Sequence, residues 1–182
     1  AREIYIQRKE EIKTQVKSLD CDSNDLTRQQ RVKCRLFKTD YQPKENNVPE
    51  ACRRLSNPTS CIALYKTSAR CYNLERAEKD RCLKKASGFV TAKLIDERPE
   101  ERKEKATNYL ITLLYDLEER IEEKIENGEI DPDKGTEIVD LIIQIKQDIL
   151  DGKSKAEIVR QLNDLKIKWR EAMSENSGEE NE

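Results

Sequence analysis

The fold class is decided by residues 99–128, which read PEERKEKATNYLITLLYDLEERIEEKIENG. Apolar residues recur every three or four positions in this segment, at Ala106, Leu110, Leu113, Leu114, Leu117, Ile121 and Ile125. A period near 3.6 is typical of one face of an amphipathic α-helix. Arg98-Pro99 supplies a start signal for this helix, and Asn127-Gly128 supplies a stop signal. The segment therefore predicts one long helix.

Two further amphipathic segments follow. Asp131-Pro132 opens the first and Gly152 closes it, while Ser154 with Glu157 forms a capping-box pattern that opens the second. Their apolar positions keep the helical spacing: Ile138, Leu141, Ile142, Ile145 and Ile149, then Ile158, Leu162, Leu165 and Trp169. Three such helices joined by short loops predict an antiparallel three-helix bundle over residues 99–173. A lipid pocket between helices would use the same residue types, so the apolar positions do not separate a solid core from a pocket.

The first half of the chain carries every cysteine: Cys21, Cys34, Cys52, Cys61, Cys71 and Cys82. The even number and the clustering predict three disulfides. A zinc site is disfavoured, because no Cys-x-x-Cys pair is present and the chain has no histidine. Six cysteines allow 15 pairings. If Cys61 and Cys71 share a helix, about 15 Å separates them, which excludes that one pair.

Helical signals also run through the first half. They predict a helix over residues 2–18, a second opened by the capping box of Thr27 and Gln30, and a loop at 39–48. A short helix is predicted with Pro49 in its first turn, and the next is predicted with Asn57 as its N-cap and Pro58 as its first residue. Another is predicted from about Leu74 to Lys85, with Gly88 as its C-cap. The fold class is all-α. The predicted organisation has four parts: a helical subdomain stapled by disulfides at 1–87, a junction at 88–98, the bundle at 99–173, and a disordered acidic tail at 174–182.

The formal net charge of −2 hides a strong asymmetry. Residues 1–86 carry 20 Lys and Arg against 12 Asp and Glu, whereas residues 87–182 carry 15 against 25. Three interpretations are open: solvated helix faces, attraction between the two halves, or binding of an anionic target by the basic half. The predicted contacts with an anionic partner are Lys33, Arg35, Arg53, Arg54, Arg81, Lys84 and Lys85.

Sequence patterns typical of catalysis are missing. The chain has no histidine, and its five glycines are too far apart to form a phosphate-binding loop. Asp131, Asp133 and Glu137 resemble part of a calcium loop, but the required glycine and distal glutamate are absent. We therefore expect no enzyme activity, no metal and no cofactor. No apolar run is long enough for a membrane span, and no nucleic-acid-binding pattern is present.

Three disulfides indicate an oxidising compartment, so we expect a secreted, extracellular protein. The chain starts with Ala1 and shows no charged-then-apolar leader, as expected for a mature product after removal of a signal peptide.

Residues 52–72 read CRRLSNPTSCIALYKTSARCY. A cysteine before a turn, a second opening a helix and a third before an aromatic residue resemble the insect odorant-binding proteins, including the odorant-binding-like salivary proteins of blood-feeding flies. The resemblance implies a secreted, disulfide-bonded helical binder of host amines, eicosanoids or proteins. The paired upstream cysteines of that family are absent here, and the acidic bundle is additional.

These observations predict a binding protein. The first hypothesis is a secreted salivary-type effector that engages a host protein or cell-surface receptor and modulates immune or haemostatic responses. The second is a carrier of a small apolar or lipid ligand in a helical pocket, which would need a cavity of roughly 300 Å³ or more. The third is a binder of glycosaminoglycans or other anionic surfaces through the basic half.

Overall fold

The computed structural model describes residues 2–42, 48–90 and 97–174. Within these ranges the chain forms seven α-helices and one 3-10 turn, Glu50–Cys52, and it has no strand, so the all-α fold class is confirmed. The helices are α1 Arg2–Val16, α2 Arg28–Phe37, α3 Thr59–Ala69, α4 Arg76–Ser87, α5 Pro99–Glu126, α6 Pro132–Leu150 and α7 Lys155–Ser174. Half of the predicted loop at 39–48, most of the junction at 88–98 and nearly all of the tail at 174–182 lie outside the described residues.

The predicted N-terminal caps of the helices are confirmed. Thr27 Oγ1 accepts a hydrogen bond from the Gln30 amide at 3.2 Å, and the Gln30 side chain accepts one from the Thr27 amide at 2.8 Å. Ser154 and Glu157 form the same reciprocal pair at the start of α7. Asp131 Oδ1 accepts from two backbone amides in the first turn of α6. These bonds satisfy N–H groups that have no partner inside the helix.

The helix boundaries differ from the prediction by one or two residues. α1 ends at Val16, and α3 begins at Thr59, one residue later than predicted, with Asn57 Oδ1 accepting a hydrogen bond from the Thr59 amide at 3.2 Å. Gly88 caps α4 as predicted, with φ +73°, a left-handed conformation that glycine adopts without steric cost.

The chain folds into two compact units. Unit 1 comprises residues 1–47, 120–145 and 153–182, and unit 2 comprises residues 48–119 and 146–152. Helices α5 and α6 each contribute residues to both units. The sequence-based division at 88–98 follows the order of the chain, whereas these units each combine part of the cysteine-bearing half with part of the C-terminal half.

The core of unit 1 is aliphatic and joins residues far apart in sequence. Its buried side chains include Tyr5, Ile12, Val16, Val32, Phe37, Ile121, Ile125, Ile130, Ile138, Val139, Ile142, Ile143, Ile145, Ile158 and Leu165. α1 contributes Tyr5, Ile12 and Val16 to this core, and the predicted apolar face of α7 contributes Ile158 and Leu165. Burial of one such side chain stabilises the fold by about 1.5–3 kcal/mol.

The core of unit 2 corrects part of the apolar face predicted for α5. Ala106 is exposed, and Leu113 is 38% exposed. Leu114 is buried as predicted, and Ile111 and Tyr115, which were not predicted, are buried beside it. The buried residues keep the helical spacing, but the buried face lies about one residue further round the helix than predicted. The rest of unit 2 packs on that face of α5. In the part of α5 that belongs to unit 1, Ile121 and Ile125 are buried as predicted.

Within the described ranges, no helix combines the length and the apolar character needed to cross a bilayer.

Candidate functional site

All six cysteines are in disulfides, as predicted. The pairs are Cys21–Cys34, Cys52–Cys61 and Cys71–Cys82, with Cα–Cα distances of 5.3, 5.8 and 5.7 Å. Each pair joins cysteines that are neighbours in sequence order, and the excluded pair Cys61–Cys71 is not formed. Every disulfide therefore fixes one local turn of the basic half.

In unit 1, the predicted contacts Lys33 and Arg35 are engaged inside the fold. Lys33 Nζ donates to Asp133 Oδ1 at 2.6 Å, and Arg8 Nε donates to the other oxygen of the same carboxylate at 2.9 Å. Arg35 pairs with Asp22 at 3.0 Å. These two predicted cations are therefore committed to internal partners.

The pKa of Asp133 reflects this double pairing. Burial by itself would raise the pKa, but hydrogen bonds from Lys33 and Arg8 outweigh burial and lower it below the ordinary value of 3.8. Asp133 lies in the first turn of α6, where a negative charge also interacts favourably with the helix dipole.

Arg28 makes the most extensive ion pair in unit 1. Its guanidinium donates to both carboxylate oxygens of Asp140, at 2.7 and 3.1 Å, and to Gln144 Oε1 at 2.7 Å. Such bidentate pairs are stronger and more directional than single contacts. Arg28 belongs to the basic half and Asp140 to the acidic half, so attraction between the two halves operates within this unit.

In unit 2, Arg53 and Lys84 are also paired. Arg53 lies 3.3 Å from Glu50, and Lys84 Nζ lies 2.6 Å from Asp80 Oδ2. Tyr109 donates to the other oxygen of Asp80 at 2.5 Å. The pKa of Asp80 is lowered chiefly by the hydrogen bond from Lys84 and also by that from Tyr109. The pKa of Tyr109 is raised to about 12, chiefly by burial and also by its bond to Asp80.

The three remaining predicted contacts, Arg54, Arg81 and Lys85, are exposed. In the part of unit 2 that the structure describes, none of them makes an ion pair, although Arg81 Nε donates to the backbone carbonyl of Ala77 at 3.3 Å. Lys66, Arg70 and Arg76 are likewise exposed, and the sequence interpretation missed them. The predicted contacts lie in runs of neighbouring basic residues, whereas Lys66, Arg70 and Arg76 are separated by a helical turn or more.

A buried ionic cluster in unit 2 was also missed. Lys146 is 1% exposed, its ammonium bonds to the Glu118 carboxylate, and it lies 3.7 Å from the centroid of the Tyr115 ring. Tyr65 packs edge-on against Tyr115 at 5.0 Å between centroids. The sequence signal was a lysine at the spacing of the buried positions Ile142 and Ile143, one helical turn earlier.

Two further polar contacts lie beside this cluster. Gln147 Nε2 donates to the Glu50 carbonyl at 3.1 Å, and Lys79 lies 3.0 Å from Asp116. Burial chiefly raises the pKa of Tyr115 and of Tyr72 far above the usual tyrosine range, so both stay protonated at any physiological pH. This arrangement supports the core of unit 2.

The acidic residues that resemble part of a calcium loop have other uses. Asp131 caps α6, Asp133 bonds to Lys33 and Arg8, and Glu137 lies 3.3 Å from Lys168. Among the described residues, no group of three or more Asp, Glu, Cys or His side chains is placed to hold a metal ion.

Among the seven predicted cationic contacts, Arg54, Arg81 and Lys85 are the ones that are exposed and make no ion pair with another described residue, and all three belong to unit 2. Comparisons with protein-family models, with curated proteins and with solved structures find no match to this chain.

Proposed function

We propose that this chain is a secreted, non-enzymatic binding protein that engages a host protein or cell-surface receptor. The observation that carries the proposal is the set of three disulfides, which involve every cysteine. Structural disulfides form and persist outside the reducing cytosol. The odorant-binding-like segment at 52–72 suggests saliva of a blood feeder as the setting, with immune or haemostatic targets.

The use of the polar groups supports binding rather than catalysis. The Lys146 ammonium would be a candidate base or nucleophile in an open cleft, but it is buried and paired with Glu118. Asp133 and Asp80 each accept hydrogen bonds from two side chains. Their chemistry is directed to holding the helices together.

Exposed aliphatic side chains in unit 1 are candidate contacts for a protein partner. Ile4 of α1 is 66% exposed, and Ile167 of α7 is 53% exposed. Protein interfaces bury aliphatic and aromatic groups within a polar rim. Charged residues next to both positions, Glu3 and Lys166 among them, would supply part of that rim.

The test is saturable binding of the intact, oxidised chain. Surface plasmon resonance against a panel of plasma proteins and receptor ectodomains should find a partner with a dissociation constant in the micromolar range or below, typical of specific interfaces. The same chain after reduction and alkylation is the control and should lose binding. Absence of saturable binding across the panel, or equal binding by the reduced chain, would contradict the proposal.

A further inference from the structure

We propose that α3 and α4 carry a binding site for a sulfated polysaccharide chain, formed by Lys66, Arg70, Arg81 and Lys85. This proposal does not depend on the identity of the protein partner proposed above.

The region is strongly basic even after internal pairing is considered. Residues 53–87 contain nine Lys and Arg but three Asp and Glu, a net charge of +6. Arg53, Lys79 and Lys84 have carboxylate partners at 3.3, 3.0 and 2.6 Å. The four cations of the proposed site are exposed, and no ion pair engages them in the described ranges.

Helical spacing sorts the four cations into two pairs. Lys66 and Arg70 lie one turn apart at the C-terminal end of α3, and Arg81 and Lys85 lie one turn apart on α4. The inward face of α4 buries Leu83 and Ser87, so Arg81 and Lys85 lie on the opposite, solvent-facing side. Side chains four residues apart on a helix are neighbours, about 6 Å apart.

The disulfide Cys71–Cys82 holds the two pairs together. Arg70 directly precedes Cys71, and Arg81 directly precedes Cys82. The Cα atoms of the two cysteines lie 5.7 Å apart, so those of Arg70 and Arg81 are at most about 13 Å apart, since each trans residue adds 3.8 Å. Arg70 and Arg81 are therefore held near each other by a covalent link before any ligand arrives, which reduces the entropy lost on binding.

An extended anion with repeated charges fits this arrangement better than a single ion. Two cation pairs at separate helix positions require anionic groups at several points along a ligand, and guanidinium groups bind tetrahedral oxyanions in a bidentate manner. The disulfides place the site in an oxidising compartment, where sulfated polysaccharides occur and nucleic acid is scarce. These points favour sulfate over phosphate as the recognised group.

The experiment measures affinity of the full-length oxidised chain for a heparin-derived octasaccharide by isothermal titration calorimetry. The test variant carries Lys66→Gln, Arg70→Gln, Arg81→Gln and Lys85→Gln. The control variant carries Lys153→Gln, Lys155→Gln, Arg160→Gln and Arg170→Gln, just before and along α7, and these positions are also exposed. Both variants lose two lysines and two arginines, so their net charges are equal. Circular dichroism and an intact disulfide mass confirm that each variant is folded.

We expect the test variant to bind at least about tenfold more weakly, as four partly screened charge contacts predict, and the control variant to bind like the native chain. The dependence of log affinity on log salt concentration should also become shallower in the test variant alone, because fewer counterions are released.

Equal losses in the two variants would overturn the site, because they would show attraction to overall charge. No measurable binding by the native chain would overturn it as well. Competition by duplex DNA at matched charge as effective as that by the octasaccharide would overturn the assignment to a sulfated polysaccharide. None of these results bears on the protein partner, which is measured separately.

Discussion

The Lys146 ammonium lies in the core of unit 2, and its partners include the Glu118 carboxylate and the face of the Tyr115 ring. A buried charge without a partner is costly, and its removal from water is offset here by the ion pair and the ring. The two members of the ion pair differ in their access to water. The Glu118 side chain is 17% exposed, whereas that of Lys146 is 1% exposed. The pair should therefore respond asymmetrically to substitution.

We predict that Glu118→Gln lowers the free energy of unfolding by about 3 kcal/mol, because it removes a counter-charge from a buried ammonium. Lys146→Met should cost less, because it keeps the volume and the contact with Tyr115 while Glu118 can reach solvent. The double variant should be more stable than Glu118→Gln alone. Urea denaturation of the oxidised proteins measures all three. A Glu118→Gln protein as stable as the native chain would show that the pair has no such role.

Asp133 gives unit 1 a dependence on pH. Its pKa in the folded chain is lowered by Lys33 and Arg8 despite burial. Because its pKa is lower in the folded chain, Asp133 stabilises the fold at pH values above the unfolded pKa near 3.8. This stabilisation is lost as the pH falls through the pKa of the folded chain.

We predict that Asp133→Asn costs about 1 kcal/mol at pH 7, a moderate amount because the pair is partly exposed and screened. The difference from the native chain should start to shrink as pH falls below about 4, where Asp133 of the unfolded chain takes up a proton, and should vanish below the lower pKa of the folded chain. Asp164→Asn, at an exposed position of α7, is the control for loss of one negative charge and should have little effect. Thermal unfolding at several pH values provides the data. A difference that stays constant down to pH 2 would argue against the assigned pairing.

At the scale of elements, helix existence and capping were predictable because they depend on neighbouring residues. Thr27 with Gln30 and Ser154 with Glu157 are local patterns, and both form the expected hydrogen bonds. The buried face of α5 was less predictable. Leu113 and Ile111 differ little in apolar character, and which of them is buried depends on the segments that pack against the helix. The disulfide pairing and the Lys146 cluster depend on three-dimensional proximity in the same way.

Gly135 shows how packing can reverse a local preference. Alanine normally stabilises a helix interior relative to glycine by about 1 kcal/mol. A methyl group at Gly135 of α6, however, would overlap Cγ1 and Cδ1 of Ile125, which is buried in unit 1.

We predict that Gly135→Ala destabilises the chain by about 1–3 kcal/mol, the range for overpacked cores. Adding Ile125→Val, which removes one of the overlapping carbons, should recover part of the loss. Gly152→Ala is the matched comparison: no atom lies within 4 Å of the added methyl, so its cost comes from the left-handed φ of +73° alone. Denaturation midpoints compare the variants, and stabilisation by Gly135→Ala would show that the two helices are not in close contact there.

At the scale of the whole molecule, residues of the basic half form ion pairs with residues of the acidic half within each unit. Unit 1 joins α1 and α2 to acidic residues of α6 through Arg8–Asp133, Lys33–Asp133 and Arg28–Asp140. Unit 2 joins α4 to α5 through Lys79–Asp116. Each half of the chain therefore supplies charged partners for the other.

We predict that fragments 1–90 and 91–182 are each incompletely folded alone and gain helix when mixed, because each unit needs segments from both. Association should weaken as salt rises, since exposed and half-exposed ion pairs contribute to it. Circular dichroism of the mixture against the sum of the separate spectra is the measurement. Cooperative unfolding of each fragment alone, with no change on mixing, would instead support independent domains divided at residues 88–98.

The most direct test of the central claim, a disulfide-stapled helical protein of an oxidising compartment, is peptide mapping without reduction on protein from its natural source. Trypsin sites lie inside all three disulfide loops, at Arg28, Arg53 and Arg76 for example, so each disulfide joins two separate peptides. The predicted result is three linked peptide pairs, Cys21–Cys34, Cys52–Cys61 and Cys71–Cys82, with no free thiol. A link between any two of these three loops would contradict the fold, and free cysteines would contradict both the fold and the extracellular setting on which the proposed function rests.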